Sequence, residues 1–274
     1  MSKATSSLSL AAGRVHAIAS NTFREAVRHR AFIAMAAVGA GLLLFSMILS
    51  ELAVTGQVRR VLLDFGLFAT SLFGLVAAIG LGAALVRRDL ERKTVYTLLS
   101  KPVPRYQFLL GKFAGMVGVI WLGLFALTLI WFLVLAWQGH EVSGELVKAI
   151  ILIAAESLLV ASIATMFSSM SSAIMTALLS GGVVVVGRLV GTVEGMLTST
   201  SKRAFFEKNP EFRWVGELLT GIWPDLSVFN TSQQVLLEVP IPAEYVIQGV
   251  LYSVACAGIF LSIGVLAISR RDFV

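Results

Sequence analysis

Residues 108–137 have the sequence FLLGKFAGMVGVIWLGLFALTLIWFLVLAW, in which Lys112 is the one charged residue. A helix needs about 20 mostly apolar residues to cross a hydrocarbon layer of about 30 Å. Lipid offers the backbone no hydrogen-bond partner, so a spanning segment has to satisfy its own N–H and C=O groups as a helix. Residues 108–137 therefore predict a transmembrane helix.

Five further stretches meet the same requirement. They are residues 31–50, 61–86, 146–167, 173–196 and 245–268. Of the 274 residues, 57% are hydrophobic and 14% are charged, whereas a soluble domain has about 25% charged residues. The sequence predicts an all-α polytopic membrane protein, with an N-terminal segment (1–30) and one transmembrane domain (31–274). The first twenty residues lack the apolar core of a signal peptide, so the first span is expected to insert the chain.

Basic residues indicate which side faces the cytoplasm. With six spans, the N-terminus, the connection after the second span and the C-terminus share one side, which carries Lys3, Arg14, Arg24, Arg28, Arg30, Arg87, Arg88, Arg92, Lys93, Lys101, Arg105, Lys112, Arg270 and Arg271. The other side carries Arg59, Arg60, Lys148, Lys202, Arg203, Lys208 and Arg213. Because cytoplasmic connections are enriched in Lys and Arg, both termini are predicted to be cytoplasmic, in a bacterial inner membrane.

Several chemistries find no support in the residues. The net charge of +6 comes from short basic groups between apolar runs, so nucleic-acid binding is not expected. Cys256 is the single cysteine, which excludes an internal disulfide and a Cys-based metal cluster. His16, His29 and His140 form no metal-ligand spacing. No catalytic residue, no metal site and no cofactor is therefore predicted for this chain.

Residues 14–30, RVHAIASNTFREAVRHR, predict an amphipathic helix before the first span. An apolar stripe recurs at helical spacing and consists of Val15, Ile18, Ala19, Thr22, Phe23, Ala26 and Val27. Such a helix can lie in the headgroup layer with its apolar side toward lipid. Two interpretations stay open: a basic anchor that sets topology, or an elbow helix whose polar residues Arg24, Glu25 and Arg28 contact a cytoplasmic partner.

The connection after the second span, residues 87–112, is longer than a minimal turn requires. Its sequence is RRDLERKTVYTLLSKPVPRYQFLLGK, and Pro102 restricts the residue before it away from helical angles. Val95, Leu98 and Leu99 form an apolar edge beside polar Glu91, Arg92, Lys93 and Tyr96. A short helix at about residues 88–101 could dock to another protein, and a solvated loop that carries only positive charge is the alternative.

This connection resembles the signature of type-2 ABC-transporter permeases. In that family a Glu, a basic residue and a Thr precede a leucine-containing helix, followed by SKPV, an Arg and a GK that opens the next span. The matching residues are Glu91, Arg92 or Lys93, Thr94, Leu98, Leu99, residues 100–103, Arg105, Gly111 and Lys112. Lys93 stands where the family often has Gly. TFREAVRHR (22–30), WPDLSVFN (223–230) and SRRDF (269–273) also resemble family segments.

The resemblance implies a function and partners. Family permeases pair as six-helix subunits, here a homodimer, on two cytoplasmic ATPase subunits that bind ATP and Mg. The connection then acts as a coupling helix, in which Glu91, Arg92, Lys93, Thr94, Tyr96, Leu98 and Leu99 contact the ATPase. The chain contains no GxxxxGK[ST] phosphate loop, so hydrolysis is expected in a separate polypeptide. Export or extraction of a substrate is expected.

Residues 197–243 form an extracytoplasmic region that proline interrupts and aromatic residues populate. Aromatic side chains favour the membrane interface, so re-entrant or surface-lying helices are expected. The region could bind an extracytoplasmic partner or close the transport path, and an aromatic belt without a substrate role is the alternative.

Two charged residues fall inside predicted spans. Glu156 and Arg188 lie at similar depths measured from the turn at residues 168–172, and an ionisable group in the membrane is costly unless it is paired or hydrated. We expect these two residues to form an ion pair or to give the transport path a polar lining. Gly111 with Gly115, and Gly181, Gly182 and Gly187, predict close helix packing.

Two other functions compete with the permease. A self-sufficient secondary transporter or channel would need charges along several spans or an inverted repeat, and the sequence has neither feature. A membrane enzyme or scaffold without transport is the third possibility.

Overall fold

The computed structural model describes residues 2–52, 57–91, 104–198 and 209–269, and every regular element in these ranges is helical. The elements are α1 (Ser2–Val27), α2 (Arg30–Glu51), α3 (Val58–Glu91), α4 (Arg105–Trp137), α5 (Gly144–Met170), α6 (Ala173–Thr198), α7 (Pro210–Ile222), a 3₁₀ turn (Ser227–Phe229), α8 (Ser232–Leu236) and α9 (Ala243–Ser269). Helices α2 to α6 and α9 are long and apolar enough to span a membrane. The prediction of an all-α fold with six spans is confirmed.

Two boundaries differ in an informative way from the predicted ones. The N-terminal helix begins at Ser2, well before residue 14, because residues 8–12, LSLAA, consist mostly of good helix formers. Helix α3 continues past the second span as far as Glu91 without a break. Helix α4 begins directly after Pro104, because a proline at a helix start loses no internal hydrogen bond.

Helix α5 lies at the centre of the bundle. It packs against α9, α3, α4 and α6, and 67% of its most apolar stretch is buried, against 22% for α2. Small residues make this central position possible. A Cβ on Gly82 of α3 would lie 2.5 Å from the Cβ of Ala164 on α5, so the two backbones approach as closely as Gly and Ala allow.

The helices alternate in direction between two ends of the bundle. At the first, which we call the α1 end, the Arg105 Nη1 donates to the carbonyl oxygens of Ile268 and Ser269, both at 2.9 Å. At the opposite, far end, the Lys148 Nζ donates to the Ile241 carbonyl at 2.7 Å, and the Ile241 N–H donates to Glu145 Oε2 at 2.8 Å. The start of α4 therefore meets the end of α9, and the start of α5 meets the start of α9.

The glycine predictions are partly right. A Cβ on Gly115 would lie 2.4 Å from the Ala19 carbonyl oxygen, and one on Gly187 would lie 2.5 Å from Leu226 Cδ1. Close packing at Gly181 and Gly182 was wrong within the described ranges, because nothing there lies within 4 Å of a Cβ at either position. Both glycines are on a face of α6 that no described element covers.

Candidate functional site

Glu156 and Arg188 lie in contact at mid-depth in the bundle. The Arg188 Nε donates to Glu156 Oε1 and its Nη2 donates to Glu156 Oε2, both at 3.0 Å. Counting 1.5 Å per residue, Glu156 lies about 21 Å along α5 from the α1 end and Arg188 about 22 Å along α6. This fork-to-fork geometry is the strong form of an arginine–carboxylate contact. Glu156 is buried, while the Arg188 side chain is 36% exposed.

A third helix joins this contact. The Arg188 Nη2 also donates to the Ser71 Oγ on α3 at 2.7 Å. One guanidinium therefore connects the central helix α5 with α3 and α6. In a membrane, such bonds stabilise helix association because the alternative is a polar group facing hydrocarbon.

The segment at residues 223–231 inserts between α6 and α9. The Trp223 Nε1 donates to the Val183 carbonyl at 3.1 Å, and the Leu226 N–H donates to the Gly187 carbonyl at 3.0 Å. Helix α6 has no side chain at Gly187, so the segment backbone can approach it directly. From α9, the Tyr252 Oη accepts from the Asp225 N–H at 2.9 Å. The segment therefore contacts α6 at Gly187, the residue that precedes Arg188.

A cavity of about 270 Å³ opens beside the ion pair. Its wall on α3 is one helical face, and its other walls come from α5, α6 and the inserted segment. The lining residues are Asp64, Leu67, Phe68, Ser71, Leu72, Leu75, Ala149, Ile153, Glu156, Arg188, Phe229, Asn230, Thr231, Ser232 and Gln233. Polar side chains at this depth indicate a hydrated or ligand-binding space rather than a packed core.

The N-terminal helix packs on α4 rather than only along a membrane surface. Gly111 and Gly115 of α4 receive Ile18, Ala19 and Thr22 of the apolar stripe, and a Cβ on either glycine would lie within 2.7 Å of them. At the same level Glu25 Oε2 is 3.6 Å from the Nζ of Lys112, which is 4% exposed. The face expected to meet lipid is thus largely covered by α4.

The predicted partner contacts divide into two groups. Arg24 and Arg28 are exposed on α1 at the α1 end, while Glu25 is half-buried beside Lys112. Glu91 is the last residue of α3. The other predicted coupling residues, Arg92, Lys93, Thr94, Tyr96, Leu98 and Leu99, lie outside the described residues. The structure therefore describes the helices that lead into and out of the predicted coupling segment.

The sequence did not predict several of the residues that form the ion-pair site and the packing of α1. Ser71 and Tyr252 are ordinary polar residues in apolar helices, and their partners are 117 and 27 positions away. Lys112 had a signal, because it is a lone charge within an apolar run. Its burial against Glu25 could have been predicted from the cost of an unpaired ammonium group. In the described ranges, no group of three or more His, Cys, Asp and Glu side chains is placed to hold a metal ion.

These features define a polytopic membrane protein with a polar cavity between its spans and an amphipathic helix fixed to one end. The sequence of residues 16–237 matches the family described as "ABC-2 family transporter protein". Because the match covers most of the chain, this protein belongs to that family. The resemblance to type-2 ABC-transporter permeases is thereby confirmed. No curated protein matches the sequence.

Proposed function

We propose that this chain is the transmembrane permease subunit that couples ATP hydrolysis by a separate ATPase to the export or extraction of a substrate. The observation that carries the proposal is the family match over residues 16–237, together with six helices able to span a membrane. The sequence has no phosphate loop, so the nucleotide chemistry is assigned to a partner. Two permease copies with two cytoplasmic ATPase subunits complete the proposed assembly, in a bacterial inner membrane.

The contacts at the α1 end support a mechanical role for residues 88–101. Helix α4, which follows this segment, is tied to α9 through Arg105 and to α1 through Lys112. Helix α3, which precedes it, reaches Arg188 through Ser71. A displacement of the segment would therefore act on α1, α4 and α9 at one end, and on the polar cavity through α3.

Loss of the coupling contacts should separate the partner's basal and stimulated ATPase rates. We expect Glu91→Ala combined with Leu98→Ala to reduce permease-stimulated hydrolysis at least about tenfold, because each replacement removes a contact in a docking interface. The co-expressed ATPase and permease would be reconstituted together in proteoliposomes. The basal rate of the ATPase alone should stay unchanged.

Glu141→Ala is the matched control for this experiment, because Glu141 is exposed at the far end of the bundle. It should leave stimulation intact. Equal stimulation by the double variant and the wild type would contradict the coupling role. Transport by the purified chain with no ATPase present would favour the stand-alone transporter instead.

The α1 helix is proposed to brace the coupling segment. Arg24 and Arg28 are exposed at the end where an ATPase would bind, and Glu25 holds the helix to Lys112. Arg24→Ala with Arg28→Ala should weaken co-purification of the ATPase while leaving the permease folded. The comparison is repeated at raised salt, where exposed charge contacts weaken. If the double variant and the wild type co-purify equally well with the ATPase, the role of α1 is restricted to topology.

A further inference from the structure

The cavity beside Glu156 and Arg188 has an unbalanced charge. Three ionisable residues line it, Asp64, Glu156 and Arg188. Glu156 and Arg188 neutralise each other by their bidentate contact. Asp64 makes no ion pair or hydrogen bond with any residue that the structure describes; Arg60, one turn before it, does not line the cavity. The cavity therefore carries about one net negative charge.

Asp64 and Phe68 lie one turn apart on the same face of α3, and both line the cavity. Phe68 is 56% exposed, so its ring is not enclosed by neighbouring side chains. A carboxylate beside an accessible aromatic face is an arrangement that attracts an organic cation, because the ring quadrupole and the carboxylate both favour positive charge. Counted from Val58, Asp64 lies about 9 Å inside α3 from the far end.

A second, independent observation comes from the wall formed by residues 229–233. Thr231 lines the cavity and is 3% exposed, yet its Oγ1 has no hydrogen-bond partner among the described residues. Because this Oγ1 is enclosed and a buried hydroxyl without a partner is costly, a small rotation of Thr231 toward a polar ligand in the cavity would be favourable. Asn230 and Gln233, on the same wall, add amide groups that can bind a hydroxyl or an ester oxygen.

From these features we infer that the cavity binds a small solute that carries an ammonium group, held by Asp64 and Phe68, with its polar remainder toward Thr231. The volume of about 270 Å³ lies just below the usual range of small-ligand pockets, which favours a solute about the size of choline or ethanolamine. Glu156, Arg188 and Ser71 also line the cavity and are hydrogen-bonded to one another. The inference does not depend on an ATPase, because the cavity is formed within one chain.

The test is binding to the purified full chain in a maltoside detergent, without nucleotide or partner. The probes are choline, ethanolamine and 3,3-dimethylbutan-1-ol, which has the shape of choline without its charge. We expect saturable binding of choline or ethanolamine with one site per chain, and binding of the neutral alcohol at least about tenfold weaker. Saturable binding of neither amine would overturn the inference, as would equal affinity for choline and the alcohol.

Two variants locate the site. Asp64→Asn should weaken amine binding at least about tenfold, and Phe68→Leu about fivefold, through loss of the cation–π contact. Glu244→Gln is the matched control, because Glu244 is also an exposed carboxylate at the far end, in the first turn of α9, and does not line the cavity. It should bind like the wild type. Unchanged binding by Asp64→Asn, with thermal unfolding that shows a folded protein, would also overturn the inference.

Discussion

Arg188 is a charged residue at mid-depth in a membrane-spanning helix, so it needs a partner for its guanidinium group. A charged group at mid-depth costs several kcal/mol unless it is neutralised. Here one guanidinium binds the Glu156 carboxylate and the Ser71 hydroxyl. The arrangement joins three helices, but because each partner depends on the other, removing one leaves a buried polar group behind.

We predict that Glu156→Gln and Arg188→Gln each destabilise the protein by about 2–4 kcal/mol. The double variant should be destabilised by less than the sum, with a coupling of about 1–3 kcal/mol, because each single change leaves the other group unpaired. Unfolding of all four proteins in detergent gives this cycle. Strict additivity would show that the contact contributes no specific stability.

Gly66 lies where any side chain would overlap the Trp131 ring. The Trp131 indole fills the space beside it, is fully buried, and donates from Nε1 to the Leu62 carbonyl at 3.1 Å. A Cβ on Gly66 would lie 1.8 Å from Trp131 Cε2. The ring cannot stay in place with any side chain at that position.

Gly66→Ala is therefore expected to destabilise the protein by about 1–3 kcal/mol through overpacking, measured as a lower unfolding temperature. Gly41→Ala is the control, because nothing lies within 4 Å of a Cβ there and Ala is the better helix former. It should be neutral or slightly stabilising. Equal effects of the two substitutions would argue against the tight contact with Trp131.

Among the elements, α1 packs its apolar stripe on α4 at a place where two glycines let the helices approach closely. Gly111 and Gly115 let the helix backbones approach closely, and Glu25 faces Lys112. The lysine stays inside the packed region because the carboxylate compensates its charge. Packing and charge thus fix the same stretch of α1.

Gly115→Leu should release α1 from α4, because the new side chain would occupy the space of the Ala19 carbonyl and of Thr22. We expect trypsin to cleave at Arg14 or Arg24 at least about tenfold faster, since a detached helix opens more often. Gly258→Leu is the control in α9, where nothing lies within 4 Å of a Cβ. Slow cleavage of both variants would contradict the packing role of Gly115.

The whole molecule has two ends, and the contacts at each end agree with six crossings. Arg105 joins α4 to α9 at the α1 end, and Lys148 joins α5 to the chain just before α9 at the far end. We propose that the α1 end faces the cytoplasm, since the segments of the sequence that meet at this end contain most of the Lys and Arg residues between the spans.

This assignment can be tested by labelling single cysteines in intact cells, with Cys256 replaced by Ser. A membrane-impermeant maleimide should label Gly139→Cys and Glu238→Cys, which lie at the far end. It should label Ser171→Cys, at the turn between α5 and α6, only after the membrane is opened. The reverse pattern would invert the topology and place residues 88–101 where no cytoplasmic ATPase can reach them.

The number of membrane-spanning helices followed from the sequence because hydrophobic length is a local property. Residues 108–137 are apolar enough to span a membrane whatever their neighbours are, and α4 covers all of them. The pairing of Glu156 with Arg188 could also be anticipated, since two opposite charges at similar depth have few other ways to avoid lipid.

The partners of uncharged residues could not be anticipated in the same way. Nothing local distinguishes Gly187, which receives Leu226, from Gly181 and Gly182, which nothing described approaches. The apolar stripe of α1 gave no indication whether α4 or lipid would cover it, because both are apolar and the hydrophobic pattern is identical. Ser71 likewise became part of the polar site only through the position of α3.

The all-α membrane class and the six spans could be predicted from the amino-acid sequence, since they depend on composition and on residues close together in the chain. The tertiary structure alone decided that residues 223–231 descend between α6 and α9 and enclose a polar cavity with α3 and α5. The physical reason is that a cavity is formed by the relative positions of distant helices, and close approach at a glycine depends on which neighbour meets it.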